Sequence, residues 1–327
     1  MNCGIRYSSG QVLLLDADSG SPMQNSLDSM IETAGRVVLG KERAIRLSLA
    51  CLLARGHLLI EDLPGVGKTT LAHLLARLLG LQYQRIQFTS DLLPADIIGV
   101  SIYDREEGSF RFHPGPIFSQ IVLADEINRA TPKAQSALLE AMEERQVTAE
   151  GQTMKLPMPF FVIATQNPAH QIGTFPLPES QLDRFLMRVK LGYPDTRSER
   201  ELLAGSDRRE MVDSLEPCLS LDQLAELQQQ VSRVHLSNAI LDYCQALLEF
   251  SRSSPRFNHG LSPRAGIALL NSAKAWSLLE GRRDVLPEDL QAVLPATVGH
   301  RLHSTADTGV DEGEMLAHHL LESVAIP

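Results

Sequence analysis

One stretch of the sequence decides the fold: Leu58-Leu59-Ile60-Glu61-Asp62-Leu63-Pro64-Gly65-Val66-Gly67-Lys68-Thr69-Thr70. An apolar run leads into a glycine-containing loop, and a lysine, a threonine and the apolar stripe of a helix follow. Glycines let backbone N–H groups turn towards phosphate oxygens, and a helix that begins at Lys68 points the positive end of its dipole at the same anion. This order of strand, loop, Lys-Thr and helix predicts a phosphate-binding loop.

The loop residues have separate expected tasks. Lys68 can reach the β- and γ-phosphates of a nucleotide, and the Thr69 hydroxyl can ligate Mg²⁺, so ATP and Mg²⁺ are the expected cofactors. The usual GxxxxGK[ST] pattern has a glycine where this chain has Asp62. The alternative without a nucleotide is a chance glycine turn before a helix. The expected nucleotide-binding residues of the loop are Pro64, Gly65, Val66, Gly67, Lys68, Thr69 and Thr70.

Five short apolar runs predict strands that are buried on both faces, because they lack strict alternation. Helical stripes lie between several of them, which favours a mostly parallel α/β sheet. Two insertions, Val100–Tyr103 with Phe110–Phe112 and Val147–Ala149 with Thr153–Leu156, predict surface hairpins. The predicted strands are Leu58–Ile60, Gln84–Phe88, Ile121–Ala124, Phe160–Ala164 and Phe185–Val189.

Two of these strands end in polar residues suited to nucleotide hydrolysis. Ile121–Ala124 is followed by Asp125, which can hold Mg²⁺ opposite Thr69, and by Glu126, which can accept the proton of an attacking water. Alone, the pair could equally be an ordinary acidic turn, but the phosphate loop upstream favours the catalytic interpretation. Asn167 could orient the water, or could simply cap the turn before Pro168.

The chain changes character after Tyr193-Pro194-Asp195. Ser198-x-x-Glu201 and Ser220-x-x-Gln223 have the form of capping boxes, and Ser262-Pro263 has the form of a helix start. We therefore expect a poorly ordered leader at residues 1–25, an α/β nucleotide-binding domain at 26–197 and a smaller all-helical domain at 198–327.

Composition narrows the class of protein. With 327 residues, 43% of them hydrophobic, the chain can bury a substantial core, and no apolar run approaches the length of a membrane helix. We therefore expect a cytoplasmic protein without a membrane span. The formal net charge of −10 would repel a nucleic-acid duplex, which disfavours nucleic acid as the main partner. Four scattered cysteines give no metal or disulfide pattern.

Taken together, the motifs resemble the MoxR branch of the AAA+ ATPases, over roughly residues 27–300. Runs this long, in order, are more specific than any single motif. The residues that carry the resemblance are Glu61–Thr69, Gln87–Asp96, Gly115–Phe118, Ala124–Ala130, Gln135–Glu144, Ala164–Pro168 and Leu177–Phe185.

The resemblance implies a P-loop domain followed by a helical lid, and it implies roles for single residues. Asn167 matches the sensor 1 position, and Arg184 matches the arginine finger that acts on ATP bound by a neighbouring subunit. Arg264 matches sensor 2 on the lid, while Val38 and Gly40 fall where the family lines the adenine pocket. Arg188 or Arg129 remains an alternative finger.

The resemblance also implies a homo-oligomeric ring, with a hexamer as the expectation, and a chaperone-like ATPase that remodels partner proteins. Clients carrying von Willebrand factor A domains are implied in the same way. The alternatives are a nucleic-acid motor or loader on the same core, a nucleotide-gated binding module with little turnover, and a relative of the magnesium chelatase motor.

Three aromatic residues flank the first predicted hairpin: Phe110, Phe112 and Phe118. They could be exposed for a partner or could pack the hairpin down. Packing is the favoured expectation, because apolar residues near a turn are more often core than contact.

Overall fold

A five-stranded parallel sheet is the centre of the computed structural model, which describes residues 22–167, 174–205, 207–305 and 312–326. In chain order the strands are β1 Leu58–Glu61, β2 Tyr83–Gln87, β3 Gly99–Asp104, β4 Ser109–Pro114, β5 Ile121–Asp125, β6 Gln146–Ala149, β7 Gln152–Lys155, β8 Phe161–Gln166 and β9 Met187–Val189. The parallel sheet has the order β2-β5-β8-β1-β9, and β3-β4 and β6-β7 form separate antiparallel hairpins.

Helices cover the sheet and make up most of the chain after β9. They are α1 Pro22–Val37, α2 Glu42–Leu53, α3 Lys68–Leu78, α4 Pro94–Ile98, α5 Pro132–Glu144, α6 Glu179–Leu182, α7 Thr196–Ala204, α8 Arg208–Asp213, α9 Leu221–Arg233, α10 Asn238–Ser253, α11 Pro263–Leu279, α12 Pro287–Val298 and α13 Glu312–Ser323. Short 3₁₀ turns occur at Ile127–Arg129 and Gly299–Arg301. Among the described residues, no helix is long and apolar enough to cross a membrane.

Alternate residues of the central strands β1, β5 and β8 enter two different cores, one on each face of the sheet. In β1, Leu58 and Ile60 join the core that includes α1, α2, α3 and the C-terminal helices, whereas Leu59 joins the core beneath α4 and α5. All three side chains are fully buried. Burial on both faces explains why β1, β5 and β8 are continuous apolar runs. The expectation of burial on both faces is wrong for β2, in which Gln84, Arg85 and Gln87 are exposed. The predicted parallel α/β sheet and both hairpins are confirmed.

Two local predictions differ from the structure at helix starts. Ser198 does not begin a helix: Asp195 caps α7, and its side chain accepts hydrogen bonds from the backbone N–H groups of Arg197 and Ser198. The residue Ser220, by contrast, forms its predicted capping box with Gln223. Helix α1 begins at Pro22, so residues 22–25 of the expected leader are helical, and residues 1–21 lie outside the described part of the chain. Because α7 crosses the expected boundary at 197–198, the division into two domains stays a prediction.

Candidate functional site

The carboxyl ends of the parallel strands bring the phosphate loop, both carboxylates and Asn167 to one edge of the sheet, here called the nucleotide edge. The phosphate loop follows β1, Asp125 ends β5, and Asn167 follows β8. Because β8 lies between β1 and β5, Asn167 stands between the loop and the carboxylates. Three residues far apart in sequence therefore meet here.

The phosphate loop has the backbone geometry that an anion-binding loop needs. Gly65 and Gly67 have φ angles of +85° and +95°, in the left-handed region that favours glycine. A Cβ atom on either glycine would meet no heavy atom of the described residues within 4 Å, so space remains beside the loop for a ligand. Lys68 starts α3, and Thr69 and Thr70 are half-buried in its first turn.

Lys68 connects the loop to Asn167. Its Nζ donates to the backbone carbonyl of Asp62 at 2.5 Å and to Oδ1 of Asn167 at 2.9 Å. Burial lowers the pKa of Lys68, while the carboxylates of Asp62, Asp125, Glu126 and Glu61 oppose that shift. A buried cation surrounded by four acids is suited to exchange its present partners for phosphate oxygens.

Asp125 is held by two donors that the sequence did not reveal. Its Oδ1 accepts from the Thr165 hydroxyl at 2.6 Å, and its Oδ2 accepts from Nε and Nη2 of Arg85 at 3.0 and 2.6 Å. The guanidinium of Arg85 thus balances the charge of a buried carboxylate.

Glu126 is positioned by an uncommon backbone conformation and by three side chains. Its φ of 56° is left-handed, which costs about 1 kcal/mol for a residue other than glycine. Its Oε1 accepts from Nδ2 of Asn167 at 3.1 Å, and its Oε2 accepts from Gln87 at 3.0 Å and Arg129 at 2.9 Å. Within the described part of the chain Oε1 accepts only one hydrogen bond, so a second acceptor position on that oxygen remains for a water that uses Glu126 as a base.

Asp62, which stands where the usual loop pattern has its first glycine, has a structural role. Oδ2 of Asp62 accepts the backbone N–H groups of Leu191 and Gly192 at 2.6 and 2.5 Å, and Oδ1 accepts that of Leu63 at 2.8 Å. Asp62 therefore ties the start of the phosphate loop to the chain that leaves β9.

The two residues expected at an adenine pocket lie near the start of α2. Val38 is buried in the core, and Gly40 has a φ of +67° and lines a cavity of about 460 Å³ between α2, β9, α12 and α13. A Cβ atom on Gly40 would approach the side-chain oxygens of Asp195 and Ser198 to 2.9 Å, and its left-handed φ also favours glycine. Contact with a base stays a prediction.

The two arginines expected to act on the nucleotide lie together, at the edge of the sheet opposite the nucleotide edge. Arg184 precedes β9, and its Nη1 donates to the carbonyl of Leu139 and pairs with Glu143 at 2.5 Å. Arg264, at the start of α11, lies 3.9 Å from Glu143 and 3.5 Å from Asp183. Glu143 is in the last turn of α5, which runs back from the nucleotide edge over about 20 Å.

The alternative finger residues have partners at the nucleotide edge of their own chain. Arg129 pairs with Glu126 at 2.9 Å, and Arg188 pairs with Glu61 at 2.9 Å. The side chain of Arg188 is also only 19% exposed. Arg184 is likewise paired within its own chain, with Glu143, so these ion pairs do not choose among the three arginines.

The aromatic residues of the first hairpin divide into two pairs. Phe112 packs edge-to-face on Phe118, which is partly buried against the core beneath α4 and α5. Phe110 is 71% exposed and contacts Tyr103, which is 52% exposed. The expectation that all three phenylalanines pack inward is therefore wrong for Phe110.

Several residues of the site were missed from sequence: Arg85, Gln87, Glu143 and Thr165. Two of them, Arg85 and Gln87, alternate on β2 with buried Ile86, and Gln87 pairs in register with Asp125. Polar residues at the carboxyl end of a predicted strand were the available signal.

Comparisons with protein families match two separate parts of the chain. The family described as ATPase family associated with various cellular activities (AAA) matches residues 57–187, and the AAA lid domain matches residues 249–318. The first match contains the phosphate loop, both carboxylates, Asn167 and Arg184, and the second contains Arg264.

Similar proteins align along nearly the whole chain. The protein YeaC of Bacillus subtilis (strain 168) is 45% identical over 303 residues, which are 92% of this chain and 95% of YeaC. Chaperone MoxR1 of Mycobacterium tuberculosis is 37% identical over 314 residues, covering 93% of this chain and 83% of MoxR1. A crystal structure of a Cytophaga hutchinsonii protein named as an ATPase superimposes with a TM-score of 0.84 at 35% identity, covering 93% and 96% of the two chains.

Proposed function

The chain belongs to the MoxR branch of the AAA+ ATPases, and we propose that it is a chaperone-like motor that hydrolyses ATP to remodel or activate partner proteins. One observation carries this proposal. Lys68, Asn167 and Glu126 form a continuous hydrogen-bonded chain across three parallel strands, next to two left-handed glycines with open space beside them. That arrangement supplies a phosphate cradle and a base for water in one place.

The residues at the nucleotide edge fit Mg²⁺–ATP. Gly65 and Gly67 leave room for phosphates, and Lys68 supplies the cation that contacts them. The Thr69 hydroxyl and the Asp125 carboxylate are oxygen donors of the kind Mg²⁺ prefers when phosphates complete its shell. When bound, Mg²⁺ neutralises charge that develops on the phosphate oxygens.

Glu126 and Asn167 are proposed to act on the attacking water. Glu126 accepts the proton as the water oxygen bonds to the γ-phosphorus and the bond to the β,γ-bridging oxygen breaks. Asn167 holds Glu126 from one side and Lys68 from the other. It can therefore fix the distance between the base and the phosphates.

Arg184 and Arg264 are proposed to act on ATP bound by the neighbouring subunit. A strand of four to six residues separates their edge of the sheet from the nucleotide edge by about 15 Å, which is too far for either side chain to reach the ATP of its own chain. Arg184 is the proposed finger, and Arg264 lies beside it on the lid. An arginine supplied in this way contributes a rate factor of about 10³–10⁵.

This mechanism requires an assembled homo-oligomer, and a hexameric ring is the proposed form. We also propose a cytoplasmic location and a protein client, with von Willebrand factor A domain proteins as the class to test first. The acidic composition supports a protein rather than a nucleic acid as the client.

The test is ATP hydrolysis per subunit as a function of protein concentration, measured together with the oligomeric state. We expect turnover to rise as the protein assembles. Arg184→Ala should lower kcat by about 10³-fold while ATP still binds, and Arg233→Ala, which removes an exposed arginine from the end of α9, should have no such effect. Constant turnover from monomer to oligomer, unaffected by Arg184→Ala, would refute the proposed action between subunits.

A further inference from the structure

Arg301 is a buried arginine of the lid whose whole guanidinium is used in hydrogen bonds. It ends the 3₁₀ turn after α12, and its side chain is only 9% exposed. A guanidinium has five N–H groups in a rigid plane. Four of the contacts go to residues 183–186, here called the finger segment, and the fifth goes to the carbonyl of Thr297.

The contacts to the finger segment surround Arg184. Nε donates to Oδ1 of Asp183 at 2.7 Å, and Nη2 donates to the carbonyls of Asp183 at 3.2 Å and Phe185 at 2.8 Å. Nη1 donates to the carbonyl of Leu186 at 3.4 Å. The carbonyls immediately before and after Arg184 are therefore both held by one side chain of the lid.

Neighbouring contacts join the same two parts of the molecule. The Nε2 atom of His300 lies 3.1 Å from the carbonyl of Phe185, and the other carboxylate oxygen of Asp183 lies 3.5 Å from Arg264. Asp183 thus receives two arginines from the lid, one on each oxygen. The direction of the Arg184 side chain depends on its backbone, and this backbone is fixed by the lid.

We propose that Arg301 is a positioning residue, which holds Arg184 in place to act on the nucleotide of the neighbouring subunit. Hydrolysis of that nucleotide therefore depends on the position of the lid. The inference rests on the proposed function, because it assumes that Arg184 acts between subunits. A lid that shifts with its own nucleotide moves the finger segment with it. Displacing a catalytic group by about 1 Å can lower a rate by about 10²-fold.

The principal variant is Arg301→Lys, which keeps a cation at Asp183 but cannot reproduce the planar set of bonds to the carbonyls. We expect kcat to fall by about 10- to 100-fold, while the affinity for a non-hydrolysable ATP analogue changes by less than about threefold. Arg282→Lys is the matched control, because Arg282 is a lid arginine paired with the buried Asp289 outside the finger segment. It should retain the parent kcat.

Subunit mixing separates positioning from damage to the subunit's own site. Glu126→Gln subunits keep a normal finger segment but lack the base, whereas Arg301→Lys subunits keep the base but misplace the finger. A mixture should hydrolyse faster than the sum of the two separate proteins, because some Arg301→Lys sites then face an intact finger. Arg184→Ala subunits mixed with Glu126→Gln subunits should show the same recovery.

Each outcome of the mixing experiment has one meaning. If the Arg184→Ala mixture recovers and the Arg301→Lys mixture does not, Arg301 is not a positioning residue for the finger and the inference fails alone. If neither mixture recovers, the action of Arg184 between subunits fails, and the inference fails with it. A parent-like kcat for Arg301→Lys would also overturn the inference.

Discussion

Acidification should destabilise this protein through His57 by about 2 kcal/mol between about pH 7.5 and about pH 5. His57 lies just before β1 and is buried; its Nδ1 accepts the backbone N–H of Val162 at 3.0 Å, and its Nε2 lies 3.2 Å from the carbonyl of Met142. A proton on Nδ1 would break the first bond and place a charge in the core. Burial therefore lowers the pKa of His57 from 6.5 to about 4.

Stability falls on acidification because the unfolded state binds the proton at a higher pH than the folded state. Below about pH 6.5 the unfolded chain takes up a proton on this histidine, and the folded protein does not until the pH nears about 4. Stability is therefore fully present above about pH 6.5 and is lost as the pH falls from about 6.5 to about 4. Burial also lowers the pKa of His300 well below its usual value, so acidification removes stability through that residue as well.

The assay is urea unfolding at several pH values, comparing the parent with His57→Gln. Glutamine can donate and accept hydrogen bonds but does not titrate, so the variant should be less stable at neutral pH yet lose about 2 kcal/mol less on acidification. His259→Gln, which changes an exposed histidine, should leave the pH dependence of the parent intact. Equal pH dependence in His57→Gln and the parent, or an NMR titration of His57 near its ordinary pKa, would refute the reasoning.

Two further predictions concern the nucleotide edge. Thr165→Val should lower stability by about 1–3 kcal/mol, because it removes the hydroxyl that donates to Asp125 and accepts the backbone N–H of Glu126. It should also lower kcat about tenfold, whereas Thr165→Ser should retain the stability and kcat of the parent. A parent-like kcat in the valine variant would contradict this role. Gly67→Ala should cost about 1–2 kcal/mol of stability and weaken binding of an ATP analogue, since alanine disfavours a φ of +95°. Gly151→Ala, at a φ of +77° in a hairpin turn with similarly open space, should show the stability cost alone, and equal loss of nucleotide binding in both variants would contradict the assignment.

The sheet was predictable because its signals are local. Three of the five predicted strands, such as Ile121–Ala124, are apolar and buried on both faces, and all five are followed by polar residues. The phosphate loop, Asp125 and Glu126 follow directly from that pattern, since parallel strands all end at the same edge. Asn167 could be found in the same way, although its contact with Lys68 depends on β8 lying between β1 and β5.

The remaining contacts depend on packing that no local pattern encodes. Asp195 and Ser198 are both good capping residues, and the sequence does not show that Asp195 is the one that caps α7. Arg85 reaches Asp125 only because β2 pairs with β5. Arg264 lies beside Arg184 because of the way α11 packs on the core, whereas its position in the chain suggested only that it belonged to the lid.

Two structural connections join the nucleotide edge to the finger segment at the opposite edge. In the core, α5 begins shortly after Glu126 and has in its last turn Glu143, whose carboxylate holds Arg184. Through the lid, Arg301 holds the backbone on both sides of Arg184. Rigid elements can carry a displacement between sites in this way. Because the connection through the core persists when Arg301 is replaced, Arg301→Lys should slow hydrolysis less than Arg184→Ala, which removes the charge that both connections position.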